Sequence, residues 1–152
     1  MTKILMVCLG NICRSPMAQG VLEARAAAAG LAVTADSAGV GGWHAGEPPD
    51  PRAVAAARAR GYDLARQRAR QVRPADFARF DHVLAMDGSN FAALERLRPA
   101  DAPARLAMLL DHAPGPETDV PDPWYGGPDG FEHALDLIEA GVDGLLAEIA
   151  RR

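Results

Sequence analysis

The chain has 152 residues, enough to bury a continuous core without disulfide or metal staples. It is 49% apolar and 24% charged, which excludes a disordered chain, and sixteen basic against twenty acidic side chains leave a net charge of −4, which argues against a nucleic-acid partner. No apolar run reaches the ~18 residues of a membrane span, and the stretch 4–9 is too short for a signal-peptide core, so one cytoplasmic domain over residues 1–152 is expected.

Residues 3–9 (K-I-L-M-V-C-L) form an apolar, partly β-branched run that predicts a strand buried on both faces, as in a parallel sheet. Ser15-Pro16 then reads as N-cap and first helical position, with Met17, Val21 and Leu22 as the apolar stripe and Gly30 as the stop. A second strand is expected over 31–37, a Gly-rich loop over 38–49, and a helix from Asp50-Pro51 to about Arg60. A short helix over 72–80, a strand over 82–86, a helix over 89–97 and a fourth strand over 105–110 follow. Residues 113–130 hold five prolines and four glycines and read as a long irregular loop, a kind usually functional in compact domains. Phe131, Leu135, Ile138, Val142, Leu145 and Ile149 then recur at three- and four-residue spacings, the core face of a last helix. Strands alternating with helices predict an α/β fold: three layers, with a doubly wound sheet of four parallel strands flanked by helices. In such a sheet a site lies at the carboxyl ends of the strands, and the exit of the first strand is the place to look.

Charge is uneven along the chain: eight arginines and two aspartates lie in 52–79, while 111–148 carries ten carboxylates and no Lys or Arg. Such runs read first as solvated helix faces, with a basic surface that steers acidic substrates as the functional alternative.

The strand exit reads Cys8-Leu9-Gly10-Asn11-Ile12-Cys13-Arg14-Ser15-Pro16. Five residues between a cysteine and an arginine can turn successive N–H groups inward as an anion-binding nest, with Gly10 and Asn11 tolerating left-handed backbone. The helix that follows points its positive end at the same spot, and Arg14 adds a fork that fits two oxygens of a tetrahedral oxyanion. A thiol at a helix N-terminus beside a cation ionises readily, so the same donors serve a sulfur nucleophile and its phosphate target. Taken alone, Cys8 is more readily a core cysteine, and Asp122 before Pro123 more readily a turn residue. The loop lacks the lysine of a Walker A motif, and the two cysteines lack a partner pair at zinc-site spacing.

The string C-L-G-N-I-C-R-S-P resembles the signature of the low-molecular-weight protein tyrosine phosphatases. The resemblance extends along essentially the whole chain through Asp36-Ser37-Ala38-Gly39, Trp43-His44, Pro49-Asp50-Pro51-Arg52-Ala53, Met86-Asp87, Ser89-Asn90 and Asp122-Pro123-Trp124-Tyr125-Gly126. It implies Cys8 as nucleophile, Arg14 as phosphate-gripping arginine, Asp122 as general acid and base, and a substrate loop of Leu9, Gly10, Asn11, Ile12, Cys13 and Ser15. Ser15 is the serine that bonds the thiolate, and bottom-up its hydroxyl can cap the helix as well. Asn11 and Ser37 match the polar pair that shapes the loop. Cys13 matches the cysteine able to form a reversible disulfide with Cys8. Trp43, Trp124 and Tyr125 resemble the walls around a phosphotyrosine ring, too deep for phosphoserine, and the resemblance makes Tyr125 a candidate for phosphorylation, as in some relatives. Asp119 is a rival acid, but the Pro-Trp-Tyr that follows favours Asp122.

No cofactor and no metal are implied; phosphotyrosine proteins are the partners, and weak self-association stays open. A catalytic histidine among His44, His82, His112 and His133 is not needed beside a nest-stabilised thiolate, although His44 at the pocket rim is placed to tune activity. A protein-arginine phosphatase on the same scaffold is the alternative; that subgroup resembles Thr at the position of Ile12 and is less aromatic after the acid. A thioredoxin-coupled arsenate reductase needs two further cysteines, and none follows position 13. A phosphate-binding module or phosphocysteine carrier has no use for both Arg14 and Asp122.

Overall fold

The computed structural model describes residues 1–152, the side chain of Tyr125 excepted, which leaves the aromatic-wall and phosphorylation expectations for Tyr125 outside the described residues. Four parallel strands are ordered β2-β1-β3-β4: β1 (Thr2–Cys8), β2 (Val33–Gly39), β3 (His82–Ala85) and β4 (Arg105–Met108). The helices are α1 (Arg14–Ala28), α2 (Pro51–Ala59), α3 (Asp76–Arg79), α4 (Gly88–Leu97) and α5 (Pro128–Ala150).

β1 lies inside the sheet with both faces covered, as its unbroken apolar run requires. Alternate side chains part to opposite layers. Ile4 and Met6 pack with α1 and α5 residues such as Val21, Leu135 and Ile138, whereas Leu5 and Val7 pack with Phe77, Val83 and Leu94. Each such fully buried side chain contributes ~1.5–3 kcal/mol of apolar burial. β1 pairs with β2 on one edge and β3 on the other, so the chain leaves β1 at the point where strand order reverses, the crevice position of a doubly wound sheet. Among the described residues no helix is long and apolar enough to cross a membrane.

The element boundaries differ from the sequence reading where distant chain intervenes. The helix expected over 72–80 shrinks to Asp76–Arg79, because Gln71 bridges to the end of β2 and the Val72 N–H donates to the Gly39 carbonyl at 2.8 Å. β2 runs two residues further than expected, to Gly39, because its ladder follows β1 to Cys8. β4 ends at Met108 and the chain tightens into a 3₁₀ turn over Leu109–His112. α5 starts at Pro128, inside the segment read as loop, since proline at the first helical position has its φ preset and no N–H to leave unpaired. A second 3₁₀ turn, Pro123–Tyr125, orders the same segment.

The charge runs are only partly solvated faces. Arg60, after α2, pairs with Glu132 (2.8 Å), Asp136 (2.9 Å) and Glu139 (2.8 Å) of α5, and Arg25 of α1 pairs with Asp143 (2.6 Å). The acidic face of α5 is thus in part the counter-charge of its neighbours.

Candidate active site

The loop between β1 and α1 closes around the sulfur of Cys8, which is buried at the strand end. Asn11 has a left-handed backbone (φ 60°), the conformation expected for a nest, and its N–H points to Cys8 Sγ at 3.3 Å. The Asn11 side chain locks that turn: Nδ2 donates to Ser15 Oγ (2.8 Å) and to Ser37 Oγ (2.9 Å), and Oδ1 accepts the Arg70 N–H (3.0 Å). Since Ser15 Oγ accepts from Asn11, its single proton goes to one of two acceptors, Cys8 Sγ at 3.0 Å or the Ala38 carbonyl at 3.4 Å, and the sulfur is the nearer. Ser15 does not cap the helix as the sequence suggested: α1 begins at Arg14 with no side-chain cap, and the hydroxyl is turned to the sulfur instead. Asn11 and Ser15 are buried beneath the loop rather than set in the cavity wall.

Gly39 makes the close approach possible, because a Cβ there would lie 3.0 Å from the Gly10 carbonyl carbon and 3.1 Å from the Asn11 nitrogen. Arg14 is buried, with Nη1 donating to Asp87 Oδ2 (2.7 Å) and to the Val120 carbonyl (3.0 Å), and Nη2 lying 3.7 Å from Asp122 Oδ2. Burial works against its charge, but Cys8, Asp87 and Asp122 outweigh burial and hold the guanidinium protonated. Its fork is therefore fixed from behind. The sequence places Asp87 only in the Met86-Asp87 match, with no role; its position just after β3, beside the switch point, is the signal that could have found it. The Val120 carbonyl has no sequence signal at all.

A cavity of about 270 Å³ opens above Cys8, floored by loop residues 8–10 and 12–14 and walled by Trp43, His44, Asp122 and Trp124. Asp122 keeps Oδ1 on the Trp124 N–H (3.0 Å) and directs Oδ2 toward Arg14. Asp119 instead accepts the Gly88 N–H at 3.1 Å and is absent from the cavity wall. Trp43 is 69% exposed, Leu9 44% and Trp124 40%, three large apolar groups left in solvent around one opening. Trp43 lies flat on Gly41, where a Cβ would fall 2.0 Å from its ring. His44 lies over Gly10 and tilts toward Trp124 with ring centroids 6.4 Å apart.

Cys13 also faces the cavity, but burial first, then Asp50 and Cys8, push its thiol up to about 12. It therefore keeps its proton where a nucleophile must not. Both cysteines are unpaired thiols in the structure. His82 is buried at the start of β3, at the opposite end of the sheet from the cavity, and His112 pairs with Glu148 at 2.8 Å. Among the described residues no cluster of His, Cys, Asp and Glu could hold a metal ion.

Sheet topology and loop define a doubly wound α/β protein whose first strand-to-helix turn wraps around a buried thiol. Residues 3–152 match the family model for low molecular weight phosphotyrosine protein phosphatase. A low molecular weight protein-tyrosine-phosphatase from Streptomyces coelicolor is 48% identical over 97% of this chain and 93% of its own. The crystal structure of a protein tyrosine phosphatase from Entamoeba histolytica, with Hepes in its active site, superposes with a TM-score of 0.95 at 34% identity, covering 99% of this chain and 98% of that one. The crystal structure of a Drosophila arginine phosphatase superposes with a TM-score of 0.93 at 28% identity over 97% and 98% of the two chains. The chain belongs to the low molecular weight phosphotyrosine protein phosphatases, a family of hydrolases.

Proposed function

We propose that the protein hydrolyses phosphotyrosine in proteins, and small aryl phosphates, through a phosphocysteine on Cys8. The observation that carries this reading is the donor set around one sulfur: the Asn11 N–H at 3.3 Å and the Ser15 hydroxyl at 3.0 Å, with the Arg14 guanidinium lining the same cavity from the start of α1. Donors fixed in this way stabilise a sulfur anion before reaction and the equatorial phosphoryl oxygens during it, without reorganisation.

In the first step Cys8 Sγ attacks phosphorus, the S–P bond forms and the P–O bond to the phenol breaks. Asp122 gives its proton to the departing oxygen, which spares the site a free phenolate. In the second step Asp122, now a carboxylate, takes a proton from water as the water oxygen attacks phosphorus. The S–P bond breaks, inorganic phosphate leaves, and both side chains return to their starting states. Arg14 spans two phosphoryl oxygens throughout, its aim set by Asp87 and the Val120 carbonyl. Trp43, Trp124 and Leu9 offer apolar faces to the ring, with aromatic stacking worth ~1 kcal/mol beyond area burial.

Arginine phosphate is the second substrate to be tested, because a structural neighbour is named an arginine phosphatase. The two exposed tryptophans favour an aryl ester. The decisive measurement is acid quench of the enzyme during turnover of a ³²P-labelled phosphotyrosine peptide, followed by peptide mapping. Label on Cys8, and its loss together with turnover in Cys8→Ser while inorganic phosphate still binds, is expected. Label elsewhere overturns the mechanism, and faster turnover of a phosphoarginine than of a phosphotyrosine peptide overturns the substrate.

A further inference from the structure

Arg52 lies outside the cavity, yet it touches both the loop that carries Asp122 and the chain that hangs from the phosphate loop. Nε and Nη2 donate to the two oxygens of Asp50 at 3.1 and 3.0 Å, and Nη1 donates to the Trp124 carbonyl at 3.2 Å. Its guanidinium carbon stands 5.2 Å from the centroid of the Trp124 ring and 5.0 Å from that of Phe131, a planar cation between two aromatic faces. On one side of this clamp, the Asp50 N–H donates to the Ile12 carbonyl of the phosphate loop at 2.8 Å. On the other, the Trp124 N–H donates to Asp122 Oδ1 at 3.0 Å. Hydrogen bonds thus run from Ile12 through Asp50, Arg52 and Trp124 to Asp122, and residue 124 is held at its carbonyl by Arg52 and at its N–H by the acid itself.

We propose that Arg52 is a positioning residue that fixes the Asp122 carboxyl over the phosphate loop; the proposal rests on Asp122 being the proton donor of the reading above. Asp122 and Trp124 are both partly exposed, so little packing of their own holds that turn in place. A donor that drifts out of hydrogen-bond reach of the leaving oxygen stops contributing. The clamp uses the fork and the flat face of the guanidinium at once, and a lysine ammonium offers neither.

The test compares Arg52→Gln, Arg52→Lys, Asp122→Ala and the double variant Arg52→Gln/Asp122→Ala on phenyl phosphate and on p-nitrophenyl phosphate, whose leaving group departs without a proton. Arg52→Gln is expected to lower kcat/KM for phenyl phosphate roughly tenfold and for p-nitrophenyl phosphate less than about twofold, since misplacing one catalytic group acts on the step that needs it. Arg52→Lys should behave as Arg52→Gln, and adding Arg52→Gln to Asp122→Ala should lower neither substrate further, because a lost position has no effect once the acid is gone. Inhibition by inorganic phosphate should stay at the wild-type value in both single Arg52 variants. Equal slowing of the two substrates, a multiplicative loss in the double variant, or wild-type kinetics in Arg52→Lys overturns the role of Arg52. If Asp122→Ala alone slows both substrates equally, it is the assignment of the acid that falls; a selective Asp122→Ala with an unselective Arg52→Gln leaves the acid standing and removes only the clamp.

Discussion

Cys8 and Cys13 share one loop and differ in what their sulfurs meet. Cys8 Sγ has the Asn11 N–H at 3.3 Å and the Ser15 hydroxyl at 3.0 Å and faces the cavity. Cys13 is buried, and the carboxylate of Asp50 and the sulfur of Cys8 add to burial in raising its thiol to about 12. A raised thiol holds its proton through the neutral range and loses it only as pH approaches that value, so Cys13 is a poor nucleophile wherever the enzyme works. Brief treatment with iodoacetamide at neutral pH is therefore expected to carboxamidomethylate Cys8 and spare Cys13, and inorganic phosphate should slow the reaction at Cys8. Peptide mass mapping reads both results, and equal labelling of the two cysteines would contradict this account. The difference lies in neighbours, since the residue type is the same. That is why the nine-residue string offers Cys8 as the candidate nucleophile while saying little of what surrounds the Cys13 thiol.

At the scale of elements, what was legible in the chain was what adjacent residues decide. β1 and the core face of α5 were legible because their apolar periods are unbroken, and the phosphate loop because its donors are contiguous. The roles of Gly39, Asp87 and Val120 were not: the first two stood only inside matched motifs, and each meets the loop or Arg14 across a long stretch of chain. The end of β2, set by its ladder with β1, and the shortened α3, set by backbone bonds between Gly39 and residues 70–72, fall in the same class. Within α5 the structure separates two glycines that propensity alone treats alike. Alanine at a helical glycine ordinarily raises stability by up to ~1 kcal/mol. At Gly130 the added Cβ would meet Pro123 at 3.6 Å, an ordinary contact, so Gly130→Ala should keep that gain. At Gly144 it would fall 1.8 Å from the His112 carbonyl oxygen, which is backbone and cannot swing aside. Gly144→Ala is expected to lose ~1–3 kcal/mol, because α5 must move off the 3₁₀ turn at Leu109–His112. Urea midpoints of the two variants should shift in opposite directions; a shared direction would mean that the close approach of helix and turn is wrong.

Across the whole molecule, groups brought together from separate elements set the response to acid. His82 opens β3 inside the protein, and burial, then Arg152 and Arg105, hold its imidazole below its ordinary value. A depressed histidine takes up a proton less readily folded than unfolded, so its share of stability is present above the unfolded value of ~6.5 and is lost progressively as pH falls below it. Asp50 works in a lower window. Burial opposes its charge, but hydrogen bonds from Arg52 outweigh burial and hold the carboxylate below its ordinary ~3.9, so its contribution survives mild acid and disappears only as pH falls through that depressed value. Two separable losses follow, one between pH 7 and 5 to which His82 contributes and one near the acid limit to which the Asp50–Arg52 pair contributes, together with Glu148, whose carboxyl His112 and Arg152 hold low. In His82→Gln the fall in urea midpoint between pH 7 and 5 should flatten while the steep loss below pH 4 remains; in Asp50→Asn the reverse is expected. If His82→Gln reproduces the wild-type slope between pH 7 and 5, the buried imidazole is not the group that responds there, and the low-lying ends of β3 and β4 must be more open to water than the packing around His82 allows.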